Sequence, residues 1–288
     1  MSNIRFATID DINNIMKFID DHWKKNHILA RNKDFFIYEH KDIYSDVVNY
    51  VISLENNIIN GVLGFIKYSE SNSDIATVIW KALKSNSSPM LGIELLEFLR
   101  INKRYNILFS SGINKETVGI YKYLEFYTGK LSQYIIINNY IKSFKILKIG
   151  RTIILNKINF IQSDAFQLIE LNEIPLDFDF YENKSIPQKD RDYFIKRFVN
   201  HPVYKYKIYG IYVEEVLKSL IVTRVLTVDS SSVLRVMDYI GDESHIVFIS
   251  NYLYQIVIDN NYEYIDFMCF GFNSLHLKGQ VIVVNSNR

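Results

Sequence analysis

The sequence predicts a mixed α/β (α+β) fold: a largely antiparallel sheet flanked by helices, followed by a second unit of the same style. Three observations carry that expectation. β-Branched runs alternate with segments of helical apolar spacing along the chain. Two strand-like runs, Tyr50–Leu54 and Ile59–Lys67, are separated only by the turn-like Glu55-Asn56-Asn57, which reads as an antiparallel hairpin. The order strand pair, strand, helix, strand occurs in both halves, and such an order favours mixed sheets with helices on both faces. The chain has 288 residues, 48% of them hydrophobic, enough for two units of about 140 residues with buried cores.

Taken in order, Ile4–Ala7 reads as a short strand, and Asp10 as the N-cap of a helix that spaces Ile12, Ile15, Phe18 and Ile19 on one face. After the hairpin comes a long strand, Ile75–Leu83, broken at Lys84–Pro89. A helix over Gly92–Arg100 follows, with Leu91, Leu95, Leu96 and Leu99 on one side. Then come a strand at Asn106–Ser110, a helix at Lys115–Leu124 and a strand at Gln133–Asn138. The Lys/Ile-rich passage to Arg151 has no clear period, so the expected units are residues 1–140 and 151–288. The second half reads as a strand near Ile153–Leu155, an acidic loop over Asp177–Glu182, and a helix Lys189–Asn200 stopped by His201-Pro202. Strands at Tyr206–Val213, Ser219–Val228 and Ser232–Ile240, a helix Ile246–Asp259 and a strand Tyr264–Phe270 complete it. Gly279–Val284 comes where a full copy would add further strands, so either this unit is abbreviated or the chain is truncated.

Composition narrows the function classes. The 33 Lys+Arg against 32 Asp+Glu give a net charge of +1, which removes the bulk electrostatic argument for nucleic-acid or anionic-membrane binding. Cys269 is the one cysteine, so no internal disulfide forms, and no Cys/His cluster has zinc spacing. The start carries acids where a signal peptide would be basic, and no apolar run is long enough to cross a membrane. A cytoplasmic location is expected. With 21 Tyr and 19 Phe, a single tyrosine is weak evidence for any role.

The chemistry concentrates between Ile75 and Arg100. An apolar strand runs through a small-residue loop into a helix whose first-turn amides form an anion site, with Gly92 at the entrance. A plain strand-to-helix turn has the same look. The next unit, Asn114-Lys115-Glu116-Thr117-Val118-Gly119-Ile120-Tyr121-Lys122-Tyr123-Leu124-Glu125-Phe126, resembles the second motif helix of the GNAT acyltransferase superfamily, Asn-x-x-Ala-x-x-x-Tyr-x-x-x-Gly-Phe. Asn114, Tyr121 and Phe126 match; Thr117 and Glu125 stand where that pattern has Ala and Gly. The family's pyrophosphate loop, Gln/Arg-x-x-Gly-x-Gly/Ala, falls on Ser87, Met90 and Gly92, and only Gly92 matches.

The resemblance covers roughly residues 3–138 and implies a GNAT-like sheet, a degenerate GNAT-like second unit, and acetyl-CoA or another acyl-CoA as co-substrate. It implies that Lys81, Ala82 and Leu83 hydrogen-bond the pantetheine arm, with the Leu83 N–H as oxyanion donor. Ser87, Met90, Leu91, Gly92, Ile93 and Asn114 would complete the cofactor contacts. Tyr121 would be the acid toward the thiolate, its alternative being a core ring.

The stretch His22-Trp23-Lys24-Lys25-Asn26-His27, with Phe35–His40, is similar to a GNAT branch that acylates nucleotide-linked amino-deoxysugars, of the anthrose-pathway type, for bacterial surface polysaccharide. By that likeness His22, Trp23, Lys24, Asp74 and Trp80 would contact a nucleotide-sugar acceptor, and His27, with His22 and Asp74 as the other candidates, would collect the amine's proton. Lys25 would join Lys24 in holding a diphosphate. Each has a plain reading too: surface histidines, solvated lysines, a turn aspartate, a core tryptophan. In the second half Asp242-Glu243-Ser244-His245 replaces the phosphate loop, and two acids there oppose CoA. Arg224, Arg235 and Asp238 are equally readable as cleft or surface residues. An aminoacyl transfer of the Fem type and a non-catalytic binding protein remain as alternatives, and a homodimer is left open.

Overall fold

A computed structural model describes residues 3–42, 45–69, 74–84, 88–147, 160–161, 163–182, 186–273 and the backbone of 282–284. The chain divides into two compact units, Met1–Thr128 with Ile186–Tyr193, and Gly129–Ser185 with Phe194–Arg288. Among the described residues, no helix is long and apolar enough to cross a membrane.

The first unit holds a five-stranded sheet of order β1-β2-β3-β4-β5, made by β1 (Asn3–Thr8), β2 (Val47–Glu55), β3 (Ile58–Lys67), β4 (Ile75–Ala82) and β5 (Leu108–Ser110). All neighbours are antiparallel except β4 and β5. The β2–β3 hairpin closes on Asn56 and Asn57 at φ 52° and 63°, the left-handed pair that a two-residue hairpin loop needs and that asparagine tolerates. Side chains alternate across the sheet. Tyr50, Ile52, Val62 and Ile79 join one core with α1 (Ile12–Phe18), α2 (Ile28–Arg31) and α3 (Lys33–His40). Val51, Leu63, Phe65 and Ile75 join another with α4 (Leu91–Asn102) and α5 (Lys115–Tyr123).

The first helix is announced by Thr8 and Asp11 rather than by Asp10. The Asp11 carboxylate accepts from the Thr8 N–H at 2.8 Å and pairs with Arg5 at 2.7 Å, so a short 3-10 turn, Ile9–Asp11, precedes α1.

The second unit holds a seven-stranded sheet, order β12-β6-β11-β10-β9-β8-β7. Its members are β6 (Ser132–Ile137), β7 (Phe166–Leu171), β8 (Lys207–Val213), β9 (Val216–Val228), β10 (Ser231–Ile240), β11 (Tyr264–Cys269) and β12 (Ile282–Val284). Helix α7 (His245–Asp259) packs Ile249, Leu253 and Val257 against Ile221, Leu234 and Ile265. The expected helix Lys189–Asn200 is instead the single turn α6 (Arg191–Phe194), continued by a π-type turn, Ile195–Val199. The strand expected near Ile153–Leu155 lies outside the described residues, and β7 supplies an edge strand the sequence reading lacked.

Strand β6 overturns the expected boundary. The sequence assigns it to the first half, yet it pairs antiparallel with β11 and β12 in the second sheet. Its run Tyr134–Ile137 is buried on both faces, Tyr134 and Ile136 into one core and Ile135 and Ile137 into another. Only a central strand can bury four successive side chains in this way.

Candidate functional site

In the first unit, β4 and β5 run parallel for three residues only, Ile75–Thr77 against Leu108–Ser110. Beyond Thr77 no strand among the described residues pairs with that edge of β4. On the other edge the β3–β4 register jumps between Leu63 and Phe65, so Val78 and Ile79 together oppose Gly64 in a bulge. Val78 is 42% exposed in mid-strand, because β5 has left its side. The result is a wedge, open from Val78 toward Ala82.

Tyr121 fills the closed end of the wedge. Its ring is 4% exposed, packed edge-on to Trp80 and Phe126, and its hydroxyl lies 3.2 Å from the Thr77 hydroxyl. Helix α5 aims it there because Asn114 fixes the helix start: its side-chain oxygen accepts from the Thr117 N–H at 2.7 Å and hydroxyl at 2.6 Å. The structure thus uses the Asn114 oxygen as a cap. The helix stops on Glu125 at φ 63°, with the Phe126 N–H returning to the Tyr121 carbonyl at 2.9 Å.

The oxyanion role expected for Leu83 is corrected. Its N–H donates to the Asn60 carbonyl at 2.8 Å, continuing the β3 ladder, because the bulge falls at Val78–Ile79 and not at Lys81–Leu83. Backbone direction alternates along a strand, so Lys81 also faces β3, while the amides of Trp80 and Ala82 turn to the open edge. Leu83 packs its side chain against the core that the sheet shares with α1, α2 and α3.

The reason expected for a glycine at position 92 is corrected, while its N–H remains a first-turn donor of α4. A Cβ there would lie 3.6 Å from Trp80 Nε1 and 3.9 Å from the Ala82 Cβ, so the bare position faces the sheet and makes no opening for a phosphate. Trp80 donates from Nε1 to the Gly92 carbonyl at 3.0 Å, tying α4 to β4. The N-cap, Met90, is exposed and offers no side-chain cap, and the Leu91 N–H reaches the Ser88 carbonyl at 3.3 Å. This leaves Gly92 and Ile93 as the first-turn donors of α4. Ser88, 6% exposed, donates its hydroxyl to both oxygens of Glu94 at 2.8 and 2.9 Å, which sets a carboxylate in that same turn. Ser87 lies outside the described residues.

The residues expected around an acceptor are divided between the two sheet faces. Trp80 belongs with Tyr121 and α4; His22, Trp23, Lys24 and His27 follow α1, whose core is on the other face. His22, Trp23, Lys24 and Lys25 are exposed, with His22 against Phe18 and Trp23 edge-on to His27. The His27 Nδ1 accepts from the Leu29 N–H at 3.3 Å and so caps α2; burial, then Lys24, lowers its pKa. Asp74 is 3% exposed, and its carboxylate accepts the Gln188 N–H at 2.8 Å. That contact, with the Tyr68–Tyr193 stack at 4.6 Å, fastens residues 186–193 to the start of β4. Its burial removes Asp74 from direct contact with a ligand.

The second unit repeats the wedge. β10 and β11 are parallel over Leu234–Val236, and the β9–β10 register then shifts between Val236 and Asp238. Here the polar groups are consumed internally. Arg235 binds the Asp266 carboxylate, which also accepts from Gln133; Arg224 lies over the Tyr204 ring at 3.7 Å; Asp238 accepts from the Tyr239 N–H. At the start of α7, Asp242 accepts the Ser244 N–H and Glu243 the Asn273 N–H.

Sequence reasoning missed Thr77 and the Ser88–Glu94 pair. A hydroxyl inside an apolar strand was the available signal for Thr77; nothing in the spacing of Ser88 and Glu94 marks their contact.

No protein-family model and no curated protein matches the chain. Solved structures do. A Pyrococcus horikoshii protein described as a candidate acetyltransferase is similar at a TM-score of 0.57 and 13% identity, over 98% of this chain and 86% of that one. An Enterococcus faecalis V583 protein of unknown function, described as a candidate N-acyltransferase, gives 0.59 at 6% identity, over 99% and 70%. A GCN5-related N-acetyltransferase from Anabaena variabilis gives 0.54 at 8%, over 98% and 70%. At these identities the likeness is one of fold: two GNAT-like units with mostly antiparallel sheets flanked by helices.

Proposed function

We propose that the chain is a cytoplasmic N-acyltransferase that moves an acyl group from acyl-CoA to the amine of a nucleotide-linked amino-deoxysugar, for bacterial surface polysaccharide synthesis. The observation that carries the acyl-transfer reading is the wedge at Thr77–Val78 with the Tyr121 hydroxyl at its closed end. The sugar acceptor rests on the likeness of residues 22–40 to that branch of the superfamily.

Acyl-CoA supplies the acyl group as a thioester. The chain's own residues fit its arm: the amides of Trp80 and Ala82 face an edge with no strand on it among the described residues, matching an amide-bearing chain laid alongside. The Gly92 and Ile93 N–H groups and the dipole of α4 attract the phosphates. Exposed Val78 offers an apolar floor at the wedge. Tyr121, linked to the Thr77 hydroxyl, holds a proton beside the leaving group's position and keeps its O–H oriented.

A second reading, a protein of this fold that binds without turnover, is favoured by the Ser88–Glu94 contact, since a carboxylate in the first turn of α4 opposes an incoming phosphate. Calorimetric titration with acetyl-CoA, followed by a thiol-release assay with amino-sugar nucleotides, separates the two. Binding with thiol release supports the transferase; no binding of acetyl-CoA by the folded protein overturns it and supports the second reading, as does binding with no release across the acceptors.

A further inference from the structure

A row of side chains crosses four strands of the second sheet. It runs from Ile135 on β6 to Asp266 on β11, Arg235 on β10 and Arg224 on β9, each directly opposite the next. Ile135 belongs to the core that excludes α7, so the row lies on the face opposite that helix. Residues directly opposed on antiparallel strands stand about 5 Å apart at Cβ, and like charges so placed repel. Two arginines are therefore held side by side with one carboxylate in their row. Asp238, past the β10 bulge and opposite Val222, pairs with neither arginine.

Both guanidinium groups keep donors to spare. Arg235 gives Nε and Nη2 to Asp266, at 2.9 and 2.6 Å, and its Nη1 makes no hydrogen bond among the described residues. The Asp266 side chain is fully buried and that of Arg235 is 37% exposed, so the bond anchors the guanidinium and leaves part of it open. Gln133 steadies the same carboxylate at 3.1 Å. Arg224 makes no hydrogen bond or ion pair among the described residues; its guanidinium lies 3.7 Å from the centre of the Tyr204 ring. A contact that close is face to face, so the N–H groups, which lie in the guanidinium plane, stay unspent. Tyr204 is itself fixed, because Nδ1 of buried His201 accepts from the N–H groups of Val203 and Tyr204 at 3.1 and 2.9 Å. Strand β8 begins at Lys207, opposite Thr223, so among the described residues no strand continues alongside Arg224.

The row carries two cations and one anion and is short of one negative charge. A carboxylate is filled by one guanidinium fork, whereas a phosphate has a third oxygen to offer. We propose that Arg224 and Arg235 bind a phosphate group, free or at the end of a monoester. The Arg224 fork takes two of its oxygens and Nη1 of Arg235 a third. The Tyr204 stack and the Asp266 bond hold both guanidinium groups before the anion arrives, which reduces the ordering cost of binding. The site draws on nothing in the first unit and stands whether or not the wedge there takes a thioester.

The test is calorimetry of the full chain at constant ionic strength with inorganic phosphate, glycerol 3-phosphate and acetate. Both phosphates are expected to bind saturably, and acetate about tenfold more weakly. A tighter monoester assigns the ligand to that class and a tighter inorganic ion assigns it to free phosphate; either supports the site. Arg224→Gln should weaken phosphate about tenfold, and Arg224→Lys, which keeps the charge and loses the fork, about threefold. Arg224 bonds to no acid, so both variants keep the fold, which thermal melting verifies. Arg235 is left unaltered, because its loss would strand the buried Asp266 carboxylate. Absence of saturable phosphate binding, equal affinity for acetate, or full affinity in both Arg224 variants overturns the proposal.

Discussion

The Tyr121 hydroxyl sits 3.2 Å from the Thr77 hydroxyl, at the point where β5 parts from β4. A residue from a helix and one from a strand, 44 positions apart, thereby close one end of a wedge whose other end is open. A phenol in that position is either a proton donor at a reacting group or the plug of a core, and the two roles separate experimentally.

Tyr121→Phe is expected to keep the ring packing against Trp80 and Phe126 and to lose only the O–H. If the hydroxyl serves as the acid, thiol release should slow by about 100-fold, with acetyl-CoA affinity nearly unchanged. A variant that turns over at full rate removes Tyr121 from the chemistry. In that case the loss should appear as about 1 kcal/mol of stability alone, from the Thr77 hydrogen bond.

Glu125 occupies a left-handed position, φ 63°, at the end of α5, where a side chain crowds the backbone. Glu125→Gly should stabilise the first unit by about 1 kcal/mol, read from the urea midpoint. An unchanged or lowered midpoint would mean that the Glu125 side chain contributes a contact that offsets the strain.

Two glycines should respond in opposite ways. Gly92→Ala has room beside Trp80 and should be neutral or add up to about 1 kcal/mol, as alanine favours the helix. At Gly64 a Cβ would lie 2.7 Å from Cζ of Tyr50, a fully buried ring, and Gly64→Ala should cost about 1–3 kcal/mol. Chemical denaturation of the two variants compares them directly; equal midpoints would contradict the packing described.

In the second unit, His245 accepts or shares a hydrogen bond with the Ser219 hydroxyl at 2.8 Å. Burial lowers its pKa from the ordinary 6.5, opposed by Asp242 and assisted by Lys218. The unfolded chain therefore binds a proton at a higher pH than the folded one does. The stability from this site is complete above about pH 6.5 and declines as the pH falls below it. His245→Gln should flatten the pH dependence of unfolding between pH 7.5 and 5.5. A slope as steep as that of the unaltered chain would assign the effect elsewhere.

Glu263 acts at lower pH. Burial pushes its carboxyl up, but the Ser231 hydroxyl and the N–H groups of Leu147, Lys145 and Ile146 outweigh that and hold it below the ordinary 4.5. Its stabilisation is present above about pH 4.5 and lost as the pH falls through the folded value. Glu263→Gln, which sets an amide against those donors, should lower the unfolding midpoint at pH 7 and leave it less sensitive to acid. A midpoint equal to that of the unaltered chain at pH 7 would refute the account.

The local elements were legible wherever one segment carried its own signal. The hairpin at Asn56-Asn57, β4, α4, α5, α7 and the β8–β11 series all follow from apolar period and turn residues. Tyr121 and Asn114 could be singled out because their spacing along one helix is local information. Leu83, Gly92 and Asp74 were assigned roles that depended on the position of the β4 bulge and on a segment over 100 residues away. No pattern within the strand reports either.

The sequence by itself determined the order of strands and helices, the apolar faces and the turn chemistry, because backbone propensity and side-chain period act over a few residues. Tertiary structure alone decided that β6 joins the second sheet, that residues 186–193 fasten to Asp74, that Leu83 continues the β3 ladder, and that Ser88 meets Glu94. Strand pairing and buried hydrogen bonds are satisfied by whichever partner closes the packing, and that partner is fixed by three-dimensional fit and not by distance along the chain.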